Sequence, residues 1–150
     1  MVGSAHPTLG KRMKKILVIA MLAWSGISCA EPPQILTDAV NAYKKNGYSN
    51  FLPVLAKGSG VEKEKSITAL TAIFPTVEDY FGKIEGLEVL REVQTSSKIK
   101  NTYFVLNYEK GPLYGMVTTY QSPKGELLTH IVLNAMGSIV LPSSLIDGEK

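Results

Sequence analysis

The sequence predicts an α+β domain in which N-terminal helices pack on one face of a four-stranded antiparallel meander. Three observations carry this prediction. Apolar side chains recur at helical spacing across residues 34–45 and 61–74, whereas residues 87–135 divide into runs rich in β-branched and aromatic residues. Those runs are parted by short breaks at Ser96-Ser97-Lys98, Lys110-Gly111-Pro112 and Ser122-Pro123-Lys124-Gly125, which is how hairpins are punctuated. No repeat or low-complexity stretch divides the chain after residue 30, so residues 31–150 read as one domain, long enough to bury a core without staples.

Residues 1–30 read as a signal peptide. Lys11, Arg12, Lys14 and Lys15 form a charged start, residues 16–24 an apolar run too short to span a bilayer, and residues 25–30 a small-residue stretch. Met13 opens a more compact version of the same signal and is a candidate true start. Cleavage after Ala30 satisfies the small-x-small rule through Ser28 and Ala30, and it predicts an exported product, periplasmic or secreted, beginning at Glu31. The second reading takes Gly26-Ile27-Ser28-Cys29 as a lipobox, with Cys29 lipidated and the domain tethered to a membrane. Gly26 stands where leucine is usual, so the soluble product is preferred, and membrane attachment is expected only on the lipobox reading.

Removing the signal changes the chemistry that composition allows. Cys29 is the single cysteine, so a chain starting at Glu31 has no disulfide, no thiol nucleophile and no thiolate ligand. The signal also carries four cations and no acid, so the formal charge of +3 becomes −1. A nearly neutral domain offers no electrostatic footprint for nucleic acid.

Each element has its own justification. Pro32 and Pro33 lead into a helix at residues 34–45, with Ile35, Leu36, Ala39, Val40 and Tyr43 on one stripe and Lys44, Lys45, Asn46 and Gly47 as its stop. Asp38 falls on its solvent side. Residues 48–56 predict a short helix with Pro53 in the first turn. Across residues 61–74 a charged first turn precedes Ile67, Leu70, Ile73 and Phe74, and the alternating charges of residues 62–65 read as a solvated face. Pro75 is expected to end that helix at the residue before it, and Thr76 with Asp79 has the form of a capping box for another short helix that stops at Gly82. Gly86 then releases the chain into strands at residues 87–95, 103–109, 113–121 and 127–135. Residues 136–146 are apolar and proline-broken, and are expected to cover a sheet edge or face.

The order of helix, loop, helix, a short helix closed at Tyr80-Phe81-Gly82, and strands joined through Gly111-Pro112 and Pro123-Lys124-Gly125 resembles the cone-shaped nuclear transport factor 2-like fold, and in particular its small exported bacterial members. The resemblance covers residues 34–135. A cystatin-like layout, one long helix wrapped by a sheet, is the second fold reading. Enzymes of the superfamily that this chain resembles set a carboxylate or a His/Asp pair, often with a tyrosine donor, inside the cone. Asp79, Glu88 and Glu92 are the carboxylates expected near it, and Tyr80, Tyr103, Tyr108, Tyr114 and Tyr120 the hydroxyls. No residue matches an enzyme motif of the superfamily position by position, so no catalytic role is carried over.

His130 is the one histidine after residue 30, and alternation places it on a face with Leu128, Val132 and Asn134. It is the sole candidate for a general base, although a lone strand histidine is more often a surface or packing residue. One histidine and no cysteine argue against a metal site of nitrogen and sulfur ligands, and no cofactor is expected. No Gly-x-Ser-x-Gly, no phosphate loop after Gly58-Ser59-Gly60 and no Gln-x-Val-x-Gly inhibitor loop occurs. The last strands carry apolar residues on both parities, so the second sheet face needs a cover: a second copy of the chain, or residues 136–146 folded back. Gly111-Pro112-Leu113-Tyr114-Gly115 reads as a hairpin that could present a recognition loop.

The expected function is an exported, non-enzymatic domain that binds a small apolar ligand or a protein partner, with Tyr80, Tyr103, Tyr114 and His130 as candidate ligand contacts and a homodimer as the expected assembly. The alternatives are a pocket enzyme of isomerase or dehydratase type working through His130, and a structural component of envelope assembly.

Overall fold

A computed structural model describes residues 31–61 and 65–147. The expected signal peptide, with Met13 and Cys29, and most of the charged run at residues 62–65 lie outside the described residues. Helix α1 (Gln34–Asn46) buries Leu36, Ala39, Val40 and Tyr43, carries Lys44 and Lys45 in its last turn, and ends at Gly47, whose φ of 88° favours glycine. A single tight turn at Tyr48–Asn50 runs into α2 (Phe51–Leu55), with Phe51, Leu52 and Leu55 buried and Pro53 in the first turn, as the sequence predicts.

The middle helices differ from expectation. Helix α3, Lys65–Thr71 among the described residues, ends at Thr71 rather than running on to Phe74. Helix α4 (Phe74–Phe81) begins at Phe74 with Pro75 in its first turn, and its start carries no side-chain cap. The Thr76–Asp79 capping box therefore does not form. A proline in a first helical turn forfeits only a donor that has no partner there anyway, and burial of the Phe74 ring fixes where the turn starts.

Strands β1 (Ile84–Gln94), β2 (Ile99–Tyr108), β3 (Gly111–Ser122) and β4 (Gly125–Asn134) form one open antiparallel sheet in the order β1-β2-β3-β4. The α+β class and the meander are those that the sequence predicts, but the strands begin earlier. Gly111 and Pro112 pair with Tyr108 and Asn107, so the predicted hairpin loop at residues 111–115 is ladder, and the turn is Glu109-Lys110.

The inner face is built from Thr102, Phe104, Leu106 and Tyr108 on β2 and Leu113, Val117 and Thr119 on β3, with Leu128, Ile131 and Leu133 on β4. Helices α1 to α4 pack on this face, and side chains fill the space between: Tyr43, Phe51, Phe74 and Phe104 are its largest fully buried members. Both edge strands are bulged. On β1 the register slips at Glu85 and Leu90, and Lys44 Nζ donates to the Glu85 carbonyl at 2.7 Å. On β4 it slips at Thr129, whose hydroxyl donates to the Thr118 carbonyl at 3.0 Å. Such interruptions blunt an edge against addition of another strand.

The chain then folds back. Helices α5 (Gly137–Val140) and α6 (Ser143–Ile146) lie on the outer face at the end carrying Val105, Asn107 and Tyr114, which fulfils the expectation that residues 136–146 cover the sheet. Gly137 sits against Tyr114 so closely that a Cβ there would stand 3.2 Å from the ring, and Arg91 Nη1 donates to Ser144 Oγ at 3.1 Å to hold α6 to β1. Among the described residues no helix is long and apolar enough to cross a membrane.

Candidate functional site

The Thr129 bulge decides where the histidine goes. Alternation along β4 would put Leu128 and His130 on one face; the extra residue turns Leu128 into the core and leaves His130 on the outer face opposite Thr118. His130 is exposed, and among the described residues no acid or hydroxyl is hydrogen-bonded to its ring. Tyr103 and Tyr114 share that outer face, Tyr103 in the row Arg91, Tyr103, Met116, Val132 and Tyr114 in the row Glu88, Val105, Tyr114, Asn134. Tyr80 does not join them. It lies on α4, 74% exposed, and with Ile73, Val77, Phe81 and Ala135 lines a separate depression of about 390 Å³.

The carboxylates expected together inside a cone are also separated. Asp79 is exposed on α4, Glu88 is on the outer face and Glu92 on the inner face. Glu92 belongs to a cluster at the far end of the sheet. Lys100 Nζ bridges Glu92 Oε1 at 3.0 Å and Glu126 Oε1 at 3.3 Å, while Thr119 donates to Glu126 at 2.6 Å and Thr102 to Glu92 at 3.3 Å. Partial burial alone would lower the Lys100 pKa, but the Glu92 hydrogen bond and the two carboxylate charges outweigh it and hold the ammonium above its ordinary range. The cluster caps the core and satisfies two fully buried threonines.

A second polar chain runs through the core. Tyr108 donates to Tyr43 at 3.2 Å, and Tyr43 donates to Glu78 Oε1 at 3.0 Å. Burial first, then the Glu78 charge, raises the Tyr108 pKa from the ordinary 10.0 to about 12 despite the opposing hydrogen bond with Tyr43. Tyr43 is pushed up further, by burial and then by its hydrogen bond to Tyr108. Both phenols therefore stay protonated at neutral pH and act as structural donors. A folded-state pKa above the unfolded value means that the stabilisation is complete below pH 10 and is lost as pH rises from there through about 12. The expected result is a stability profile that falls over that window, with a shallower fall in Tyr43→Phe, read by urea denaturation at fixed pH steps.

A groove with the dimensions of a ligand site lies between the outer face and the C-terminal helices. It measures about 580 Å³. Its floor is Leu90, Val105, Asn107, Pro112 and Tyr114, with Glu88 in the same sheet row as Val105 and Tyr114; its roof is Gly137, Ser138, Leu141, Leu145 and Ile146. Of the four candidate ligand contacts, Tyr80, Tyr103, Tyr114 and His130, only Tyr114 lines it. Glu88, expected inside a cone, lines it from the outer face instead. Val105 and the roof leucines were not singled out, although the unbroken apolar run Tyr103-Phe104-Val105-Leu106 marks a strand covered on both faces. Among the described residues no cluster of three or more His, Asp or Glu side chains is placed to hold a metal ion.

Comparison with family models, with curated proteins and with solved structures gives no match for this chain.

Proposed function

We propose that the protein is an exported, non-enzymatic binding domain, distantly of the nuclear transport factor 2-like kind, that holds a small apolar ligand in the groove between its sheet and its C-terminal helices. The groove itself carries the reading. Its volume of about 580 Å³ lies within the range typical of small-molecule sites, and its lining mixes aliphatic side chains with the polar groups of Glu88, Asn107, Tyr114 and Ser138. The order of the elements supports the kinship, and the charged start with its apolar run at residues 16–24 supports export. The space between the inner face and the helices is occupied by Tyr43, Phe51, Phe74 and Phe104, which favours the outer face as the place where a ligand binds.

The test is a titration with Nile red, a neutral apolar dye. One dye per chain is expected, and Leu145→Lys, a change on a half-buried position of a four-residue surface helix, should weaken binding about tenfold with far-UV circular dichroism unchanged. Absence of dye binding, or binding indifferent to Leu145→Lys, would sink the proposal. A second reading, docking of a protein partner or a second copy, is favoured by the half-exposed side chains of Tyr103, Met116 and Val132, which form one row that the C-terminal helices leave uncovered.

A further inference from the structure

We infer that the groove selects a cationic amphiphile, an alkyl chain ending in an amine or quaternary ammonium, over neutral and anionic chains of the same length. The inference rests on the groove being a ligand site. It comes from the sign of charge that lines it. Among the described residues that line the groove, Glu88 is the one whose side chain is charged at neutral pH, and its carboxylate forms no ion pair or hydrogen bond with any described residue. The cation closest along β1, Arg91, donates to Ser144, and neither residue lines the groove. The other polar side chains of the described lining, Asn107, Tyr114 and Ser138, are neutral.

The register gives the ligand its direction. Glu88, Val105 and Tyr114 are directly paired neighbours on β1, β2 and β3. Strands are spaced about 4.8 Å apart, so the backbone positions of Glu88 and Tyr114 stand about 10 Å from one another across the floor. A head group beside Glu88 therefore lets an alkyl chain cross Val105 to Tyr114 beneath Leu141 and Leu145. Glu88 is exposed, so the head group remains in water at the mouth while the tail is buried. An ion pair in that setting is screened and modest, which sets the preference for the cation at about three- to fivefold.

The probes are decyltrimethylammonium, decanol and decanoate, each below its micelle concentration, titrated by NMR with the methyl groups of Val105, Leu141 and Leu145 as reporters. Decyltrimethylammonium is expected to bind tightest, with its advantage over decanol abolished by Glu88→Gln and by high salt while decanol affinity stays the same. Equal affinity for the three, tighter binding of decanoate, or a cation preference that survives Glu88→Gln would overturn the selectivity and leave the groove as a site for neutral apolar ligands. If none of the three shifts those methyls, both the selectivity and the binding function fall.

Discussion

Phe74→Ala should remove about 3–5 kcal/mol of stability, a large share of the 5–15 kcal/mol that holds a domain of this size together. The ring is fully buried where the helices meet. It meets Tyr43 edge-on at 5.4 Å and 84°, Phe51 at 5.5 Å and 69°, and lies stacked over Tyr48 at 6.4 Å and 15°. Each such aromatic pair is worth about 0.5–1.5 kcal/mol beyond the area it buries, and the cavity left by truncation adds its own cost because α1, α2 and α4 all border it. The effect should extend to the Tyr43–Glu78 hydrogen bond, since the Tyr43 ring is set between Phe74 and Phe51. A urea midpoint that moves by less than the equivalent of about 1 kcal/mol would show that the helical layer is not organised around this side chain.

The second large effect comes from adding a single methyl group. In Gly115→Ala the new Cβ would lie 2.1 Å from Phe104 Cζ and 2.5 Å from Cε2, separations that no pair of carbons tolerates. Gly115 pairs directly with Phe104, and the ring lies across the glycine because that is the space its missing side chain leaves. Phe104 is fully buried and has nowhere to swing, so overpacking should cost about 1–3 kcal/mol or more. Gly115→Ala combined with Phe104→Leu should recover part of that loss, and a double-mutant cycle measures the coupling. Additive losses in the cycle would mean that the ring does not depend on the glycine. Gly111→Ala makes a milder control. Its Cβ would lie 2.6 Å from the Phe81 ring, but that ring is only half-buried and can give way.

These glycines show where sequence reading succeeded and where it stopped. Ser96-Ser97-Lys98 and Pro123-Lys124-Gly125 were legible as turns because their residues sit between two runs that both want to be strand. Gly111-Pro112 is misread for the same reason, and with it the hairpin reading of residues 111–115, although the strand expected at 113–121 does take in Gly115. Glycine and proline punctuate a sequence, yet Gly115 lies within β3 to receive a ring, and Pro112 occupies a place in the ladder near the strand's start. Thr76 and Asp79 have the spacing of a cap, but Phe74 is buried two residues earlier and tertiary packing overrides the local signal. The candidate site was legible only in part. Alternation places His130 correctly with Val132 and Asn134 on one face and wrongly with Leu128, because the bulged Thr129 lies between the two and turns Leu128 inward; Tyr103 and Tyr114, expected near a cone, lie on the outer face instead. Tyr43, Glu78 and Tyr108 are 35 and 65 residues apart in their hydrogen bonds, and no local pattern announces such a chain.

The order β1-β2-β3-β4 bears on the sequence of events in folding. Every strand pairs with its neighbour in the chain, so each ladder closes over a short loop and forfeits little entropy before its hydrogen bonds form. The helical layer is different, because the Tyr43–Tyr108 bond spans 65 residues. Local pairings form on faster timescales than distant ones, so the meander is expected to form first and the docking of α1 to α4 to follow, an order that φ-values for the two layers measure. Losses in the aromatic cluster then register chiefly as faster unfolding, and losses at Phe104 and Gly115, where the sheet and its first layer of packing assemble, as slower folding.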